Sequence, residues 1–190
     1  MNHIVVNEPN KWRLETPGSA GWQRSPRPGA AKKYFMVSAD CHANEPANLW
    51  AERIDAKYRD RLPRVITDKD GVKWRVSEGH RPDRLRIHEM EGEDDTRNKS
   101  GADPKLRIAD HDGDGIDVEL FFPNKGLSMW ATQDAEFAQA QCRVWNDWAW
   151  EQYAAHQDRV VIAGAIATAD LEGSIAEVQR LAKLGFRCLT

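Results

Sequence analysis

This sequence of 190 residues lacks an apolar run long enough to cross a bilayer. Its longest, around Val160–Ala167, falls far short of the roughly 20 residues required. It also lacks a dominant charge, because 27 lysines and arginines stand against 30 aspartates and glutamates, for a net charge of −3. A nucleic-acid-binding domain usually carries a basic face. We therefore expect neither a membrane protein nor a nucleic-acid binder.

Cysteine is scarce as well. Cys41, Cys142 and Cys188 are three in number and lie far apart along the chain. An odd count at long spacing indicates neither a disulfide framework nor a zinc ribbon. The amino-terminal residues also lack the basic segment and apolar run of a secretory signal. From these two observations we expect a cytoplasmic protein.

What the chain does contain is typical of a folded domain. Hydrophobic residues make up 41% of the sequence and charged residues 30%, as in globular proteins. Eight tryptophans are present, and such large side chains suit a deep core or a shaped pocket. At roughly 100–200 residues per domain, the length favours a single domain.

Strand-like and helix-like segments alternate along most of the chain. Strand patterns cover residues 34–40, 116–122 and 160–166, with a fourth beginning at 186–189, and helical periodicity covers 134–156 and 170–184. The near-continuous apolar run at 160–166 is typical of a parallel strand that is buried on both faces. Alternation of this kind predicts right-handed βα units around a parallel sheet.

Two regions depart from this alternation. Residues 1–33 are rich in proline and predict an extended arm, which is either solvated or anchored on a partner subunit through Trp12 and Trp22. Residues 65–76 predict a β-hairpin, since an Asp70-Gly71 turn separates two strand-like segments. The charge-rich residues 77–109 that follow predict a long surface excursion.

The last predicted helix, residues 170–184, has a clear apolar periodicity. Its expected buried side consists of Leu171, Ile175, Val178, Leu181 and Leu184. Gly185 follows directly and suits the left-handed position that ends many helices.

The residues that carry chemistry lie at the end of the first strand, in Asp40-Cys41-His42. In a strand, residues two apart point to the same face, so Asp40 and His42 converge while Cys41 points away. A carboxylate and an imidazole at the carboxyl end of a parallel strand offer two ligands to a divalent metal such as Zn²⁺. The alternative is that Asp40 caps a turn and His42 is an ordinary polar loop residue.

The surrounding sequence resembles the amidohydrolase-related family, the metal-dependent TIM-barrel hydrolases and decarboxylases of the aminocarboxymuconate semialdehyde decarboxylase type. Residues 37–50, VSADCHANEPANLW, resemble the opening of that family. Residues 106–117, LRIADHDGDGID, resemble its helix running into strand two, and Phe122-Pro123-Asn124 resembles the loop that follows. Further similar stretches occur at 146–148, 156–160 and 182–186, so the resemblance covers about residues 34–190 in order.

The resemblance implies an α/β fold, the N-terminal portion of a (β/α)₈ TIM barrel. On this view residues 1–33 are the arm, residues 34–190 are the first half of the barrel domain, and residues 43–110 are a hairpin-containing insertion between strands one and two. A complete barrel takes roughly 250 residues, so we expect the metal ligands and acid–base residues of later strands to lie outside this chain.

The resemblance also implies one catalytic divalent metal, with Asp40 and His42 matching its first-strand ligand pair. Many relatives have His-x-His there, so the aspartate in this chain leaves the identity of the metal open. Zinc is expected first, and manganese, magnesium and iron are the alternatives. Asn124 is expected either to bind substrate or to be a plain turn residue. Asn44 and Glu45 are expected either to support the metal ligands from outside or only to begin a helix.

The expected function is that of a metal-dependent enzyme acting on a small carboxylic or amide-type substrate. The reaction would be hydrolysis by metal-activated water or non-oxidative decarboxylation. The alternative is a non-catalytic fragment or assembly subunit that lacks the later metal ligands. Expected partners are a small-molecule substrate and a second copy of the chain in a homodimer.

Overall fold

A computed structural model of the chain describes residues 36–85, 91–92, 95, 98, 101–114 and 116–190. The arm predicted at 1–33 lies outside the described residues, as do Tyr34 and Phe35 of the first predicted strand. Part of the predicted insertion, between 86 and 100, lies outside them too. The arm and the limits of the insertion therefore stay predictions.

The described elements alternate as the sequence predicts. In chain order they are β1 (Val37–His42), α1 (Leu49–Arg53), β2 (Arg64–Thr67), β3 (Lys73–Val76), β4 (Asp83–Arg84), α2 (Pro104–Asp114), β5 (Val118–Phe122), α3 (Ala135–Tyr153), β6 (Val160–Gly164), α4 (Leu171–Leu184) and β7 (Cys188–Leu189). Short 3₁₀ helices lie at Ala56–Arg61, Lys125–Ser128 and Ala154–His156. Among the described residues, no helix is long and apolar enough to span a bilayer.

Four strands form the main sheet, in the order β1-β5-β6-β7. All three pairings are parallel, with His42 opposite Phe122 and Phe121 opposite Ile162. The prediction of a parallel sheet with helices in the crossovers is therefore confirmed. Because every strand runs the same way, the carboxyl ends of β1, β5 and β6 lie at one edge.

The second sheet is antiparallel, in the order β2-β3-β4. It contains the predicted hairpin, whose turn is closed by Asp68: the carboxylate accepts hydrogen bonds from the backbone N–H groups of Asp70 and Val72. Gly71 adopts a φ of +78°, which glycine reaches without strain. The third strand, β4, was not predicted, because two residues are too few for a recognisable alternation.

The core lies between the main sheet and α3. Phe121 of β5 contacts Trp145 and Tyr153 of α3, with ring centroids 5.7 Å and 4.6 Å apart, and all three side chains are fully buried. Trp145 Nε1 also donates a hydrogen bond to the carbonyl of Ala163 in β6, at 2.9 Å. Of the two roles expected for tryptophan, a deep core or a shaped pocket, Trp145 and the buried Trp148 have the first.

The buried side expected for α4 is largely wrong. Leu181 is fully buried, but Leu171 is 69% exposed, and Ile175 and Leu184 are exposed as well. The side of α4 that faces α3 is instead held by Glu177, whose carboxylate accepts hydrogen bonds from Arg143 and Asn146. A charged contact between the two helices thus sets the rotation of α4 and leaves its apolar stripe outside.

The predicted end of α4 is confirmed. Gly185 has a φ of +112° in the left-handed region. Its N–H and that of Phe186 both donate to the carbonyl of Leu181, which satisfies the last turn of the helix.

Candidate metal centre

A β-bulge lies at the carboxyl end of β1. Ser38 is opposite Glu119 and Cys41 is opposite Phe121, so three steps of β1 match two steps of β5. The strict alternation expected from the sequence therefore does not run through Ala39 and Asp40. Cys41 Sγ lies 3.0 Å from Ser38 Oγ.

The structure brings Asp40 and His42 together at this strand end. His42 Nε2 lies 3.2 Å from Asp40 Oδ1, and His42 Nδ1 lies 2.8 Å from the carbonyl oxygen of Pro123. The Asp40 side chain is 88% exposed and that of His42 is 36% exposed. Both groups are therefore open to a ligand at the edge where the parallel strands end.

The contact with Pro123 decides which nitrogen of His42 carries a proton. A carbonyl oxygen only accepts hydrogen bonds, so Nδ1 must be the donor. In the neutral ring Nε2 is then an acceptor that faces a carboxylate, and two acceptors at 3.2 Å need a proton or a cation between them. Metal-binding histidines are oriented in this way, with one ring N–H donated to a carbonyl or carboxylate.

These donors fit the metal that the resemblance implies. One imidazole nitrogen and one carboxylate oxygen are ordinary ligands of zinc and of other divalent ions. Within the described part of the chain, no third His, Cys, Asp or Glu joins them to make a group of three. The ligand role of Asp40 and His42 stays a prediction.

Glu45 joins the segment after β1 to the loop after β5. Its carboxylate accepts hydrogen bonds from the backbone N–H groups of Asn124 at 2.8 Å and Lys125 at 3.0 Å. Lys125 Nζ in turn donates to the carbonyl of Glu45. Glu45 is fully buried, and it does not begin a helix, since α1 starts at Leu49. Its described contacts support the loop that follows Pro123.

Asn124 and Asn44 are placed differently. The Asn124 side chain is exposed and lines a cavity of about 200 Å³ together with Arg75 and His80. The Asn44 amide donates to the Asn98 carbonyl at 3.1 Å and to its side-chain oxygen at 2.7 Å. Asn124 is thus available to a small molecule, whereas Asn44 ties down the segment that precedes α2.

The sequence did not reveal a buried polar cluster behind the site. Arg107 and His111 of α2 both bind the carboxylate of Glu119 in β5, His111 Nε2 at 2.9 Å from Glu119 Oε2. Burial acts to raise the pKa of Glu119, but His111 and Arg107 outweigh it and hold that pKa below its ordinary range. The feature of the sequence that could have revealed this cluster is Glu119, a glutamate in the middle of the apolar strand predicted at 116–122.

A similar arrangement supports the loop after β6. The side chain of Asn146 in α3 donates to the carbonyl of Ala165 at 2.9 Å and accepts from its N–H at 2.7 Å. Trp130 Nε1 donates a hydrogen bond to the carbonyl of the following residue, Ile166, at 2.7 Å. Each of the three strand ends at this edge is therefore held by polar side chains from neighbouring elements.

The fold of this chain is similar to those of solved structures. An amidohydrolase from Mycobacterium avium subsp. paratuberculosis K-10 superposes with a TM-score of 0.65 and 19% sequence identity. This chain shares its fold. The match covers 84% of this chain and 50% of the amidohydrolase, so the chain spans half the length of that protein. The resemblance to amidohydrolases inferred from the sequence is therefore confirmed at the level of the fold.

The 2,6-dihydroxybenzoate decarboxylase from Rhizobium, alone and in complex with 2,6-dihydroxybenzoate, is also similar. It aligns with a TM-score of 0.45 and 20% identity, over 80% of this chain and 36% of the decarboxylase. No family model matches the sequence, and no curated protein matches it.

Proposed function

We propose that this chain belongs to a metal-dependent, amidohydrolase-like enzyme and that Asp40 and His42 are two of its metal ligands. The observation that carries the proposal is the pair itself, with Asp40 Oδ1 and His42 Nε2 3.2 Å apart where β1 ends. Active sites of parallel α/β barrels lie at this end of the strands. The metal proposed first is zinc, with manganese, magnesium and iron as the other candidates.

The residues of the chain have distinct tasks in this proposal. His42 presents Nε2 because Pro123 holds its Nδ1–H, and Asp40 supplies an anionic oxygen. When bound, a divalent metal supplies polarisation of a substrate carbonyl or activation of a water molecule. Asp40 and His42 would hold the metal, and Glu45 keeps the loop after β5 in place beside them.

We propose a small carboxylic or amide-type molecule as the substrate. Asn124 carries both a donor and an acceptor in its exposed amide, and it borders the cavity that Arg75 and Lys125 also line. Two cationic groups there favour a carboxylate, although Asp83 pairs with Arg75 through hydrogen bonds of 3.2 Å and 3.1 Å. The proposed reaction is hydrolysis or non-oxidative decarboxylation.

Metal binding tests the site directly. Zn²⁺ and Mn²⁺ are titrated calorimetrically into the metal-free chain and into the variants Asp40→Ala and His42→Ala. We expect each substitution to weaken metal binding at least about tenfold, because a pair of ligands is reduced to one. Asp60→Ala and His156→Ala, which remove the same residue types elsewhere, are expected to bind as the unchanged chain does. Equal affinity in all five proteins would contradict the proposal.

A second measurement separates the two reactions. The metal-loaded enzyme to which the chain is proposed to belong is incubated with a panel of N-acyl amino acids and a panel of hydroxybenzoic acids. Release of a free amine indicates hydrolysis, and release of CO₂ indicates decarboxylation. Either activity is expected to disappear on chelation of the metal and in Asp40→Ala and His42→Ala.

A further inference from the structure

Arg107 reaches from α2 to the backbone of the candidate metal-binding strand. Its Nη2 lies 2.9 Å from Glu119 Oε2 and 3.2 Å from the carbonyl oxygen of His42. Arg107 is only 8% exposed and Glu119 is fully buried. The guanidinium group therefore connects a buried carboxylate with the main chain of a proposed ligand residue.

The guanidinium group is held from several sides. Its carbon atom lies 4.4 Å from the centroid of the Phe121 ring, and Nε contacts Glu119 Oε1. Glu119 is itself held by His111, whose Nε2 lies 2.9 Å from Oε2. Nη2 carries two hydrogens in the plane of the guanidinium, so it can donate to Glu119 Oε2 and to the carbonyl of His42 at the same time.

The contact between Arg107 and the His42 carbonyl lies close to an irregularity in β1. The bulge between Ser38 and Cys41 interrupts the regular ladder immediately before His42. The His42 ring contacts the Pro123 carbonyl through Nδ1 and Asp40 Oδ1 through Nε2. Movement of the His42 backbone would carry Nε2 away from Asp40, and Arg107 opposes that movement from the helix side.

We propose that Arg107, held by Glu119, is a positioning residue for the metal ligand His42. The proposal rests on the proposed metal site, but its object is the orientation of the His42 ring, which exists with or without metal. A buried ion pair is by itself weak support for stability, since apolar replacements of such pairs are often neutral. That fact allows the positioning role to be separated from a purely structural one.

The test uses one double variant, one conservative variant and one control. Arg107→Met combined with Glu119→Met removes both charges, so neither is left buried and unpaired. Arg107→Lys keeps a cation beside Glu119 but loses the planar guanidinium. Arg159→Met is the control. Like Arg107, Arg159 donates hydrogen bonds to backbone carbonyls, but these belong to Ile116 and Asp117 at the opposite end of β5.

Two quantities are measured on each full-length variant after circular dichroism has established that it is folded. One is the dissociation constant for Zn²⁺. The other is the nuclear magnetic resonance signal of the His42 Nδ1–H proton in the metal-free chain, which is visible only while a hydrogen bond protects it from exchange. The double variant is expected to bind Zn²⁺ about 10-fold to 100-fold more weakly, the range found when supporting hydrogen bonds around metal ligands are removed.

The expected results distinguish the possible outcomes. The double variant should lose the Nδ1–H signal, Arg107→Lys should lose part of the Zn²⁺ affinity, and Arg159→Met should keep both. If the double variant does not fold, Arg107→Lys decides. An unchanged Nδ1–H signal and unchanged Zn²⁺ affinity in a folded variant at position 107 would overturn the proposal. If the unchanged chain binds no Zn²⁺, the proposed metal site fails, and the Nδ1–H signal still decides the positioning role.

Discussion

Glu45 binds the backbone of Asn124 across the edge of the main sheet, with its Oε1 2.8 Å from the Asn124 nitrogen. The two residues are 79 positions apart in sequence. Glu45 follows the strand that ends in His42, and Asn124 follows Pro123, the residue that accepts the hydrogen bond from the His42 ring. A single buried carboxylate thus links both chain segments that border the candidate metal centre.

Substitution of this carboxylate should be costly. In Glu45→Gln an amide NH₂ replaces one of the two oxygens and faces the N–H groups of Asn124 and Lys125, so one of them loses its acceptor. We expect the free energy of unfolding to fall by about 2 kcal/mol, as for a lost hydrogen bond to a charged group. Urea denaturation measures it. Glu52→Gln, at an exposed position of α1, should change it by less than about 0.5 kcal/mol, and equal effects would contradict the buried role of Glu45.

Glu177 should make stability depend on acidity. Burial acts to raise the pKa of Glu177, but hydrogen bonds from Arg180, Asn146 and Arg143 outweigh it and hold that pKa below the usual range. The group therefore stabilises the fold above its unfolded pKa of about 4.3, and this contribution is lost as the pH falls through the lower folded pKa.

The measurement is urea unfolding of the unchanged chain and of Glu177→Gln between pH 7 and pH 3. We expect Glu177→Gln to be less stable at pH 7 and the difference to shrink toward pH 3. Glu172→Gln, at an exposed position of the same helix, is the matched control. A difference that stays constant over the pH range would show that ionisation of Glu177 does not matter.

The thiol of Cys142 should be unreactive toward alkylating reagents in the folded chain. Burial, and to a smaller extent the charge of Glu177, raises the pKa of Cys142 to about 12, and its side chain is fully buried. Because the thiolate is the reactive form, iodoacetamide at pH 8 should modify the partly exposed Cys188 first. Mass spectrometry of the digested protein should find Cys142 labelled only after denaturation. Labelling of both residues at one rate in the native chain would be inconsistent with the α3 packing.

Two glycine substitutions should act in opposite directions. Gly185→Ala places a side chain at a φ of +112° and its Cβ 3.0 Å from the Trp150 ring, so we expect a loss of about 1–2 kcal/mol. Gly113→Ala lies in α2 with no atom within 4 Å of the added Cβ, and should gain about 0.5–1 kcal/mol. Unfolding in urea compares the two. A gain at position 185 would be incompatible with the left-handed end of α4.

Much of the fold follows from local patterns in the sequence. The apolar runs predicted β5 and β6, the Asp70-Gly71 turn predicted the hairpin, and Gly185 predicted the end of α4. The buried side of α4 could not be predicted in this way. Leu171 and Ile175 have the periodicity of a core face, but the contact of Glu177 with α3 turns them outward.

The candidate site, like the fold, could be predicted from the sequence only in part. The sequence by itself determined that Asp40 and His42 would lie two residues apart at the end of one strand. How their side chains meet depends on the bulge between Ser38 and Cys41, which the sequence did not show. Only the tertiary structure decided which nitrogen of His42 faces Asp40, since the carbonyl that binds the other one belongs to Pro123, 81 residues away. The tertiary structure also decided that Arg107, paired with Glu119, contacts the backbone of His42. Contacts of this kind depend on strand register and helix rotation, which the whole fold sets and no local pattern contains.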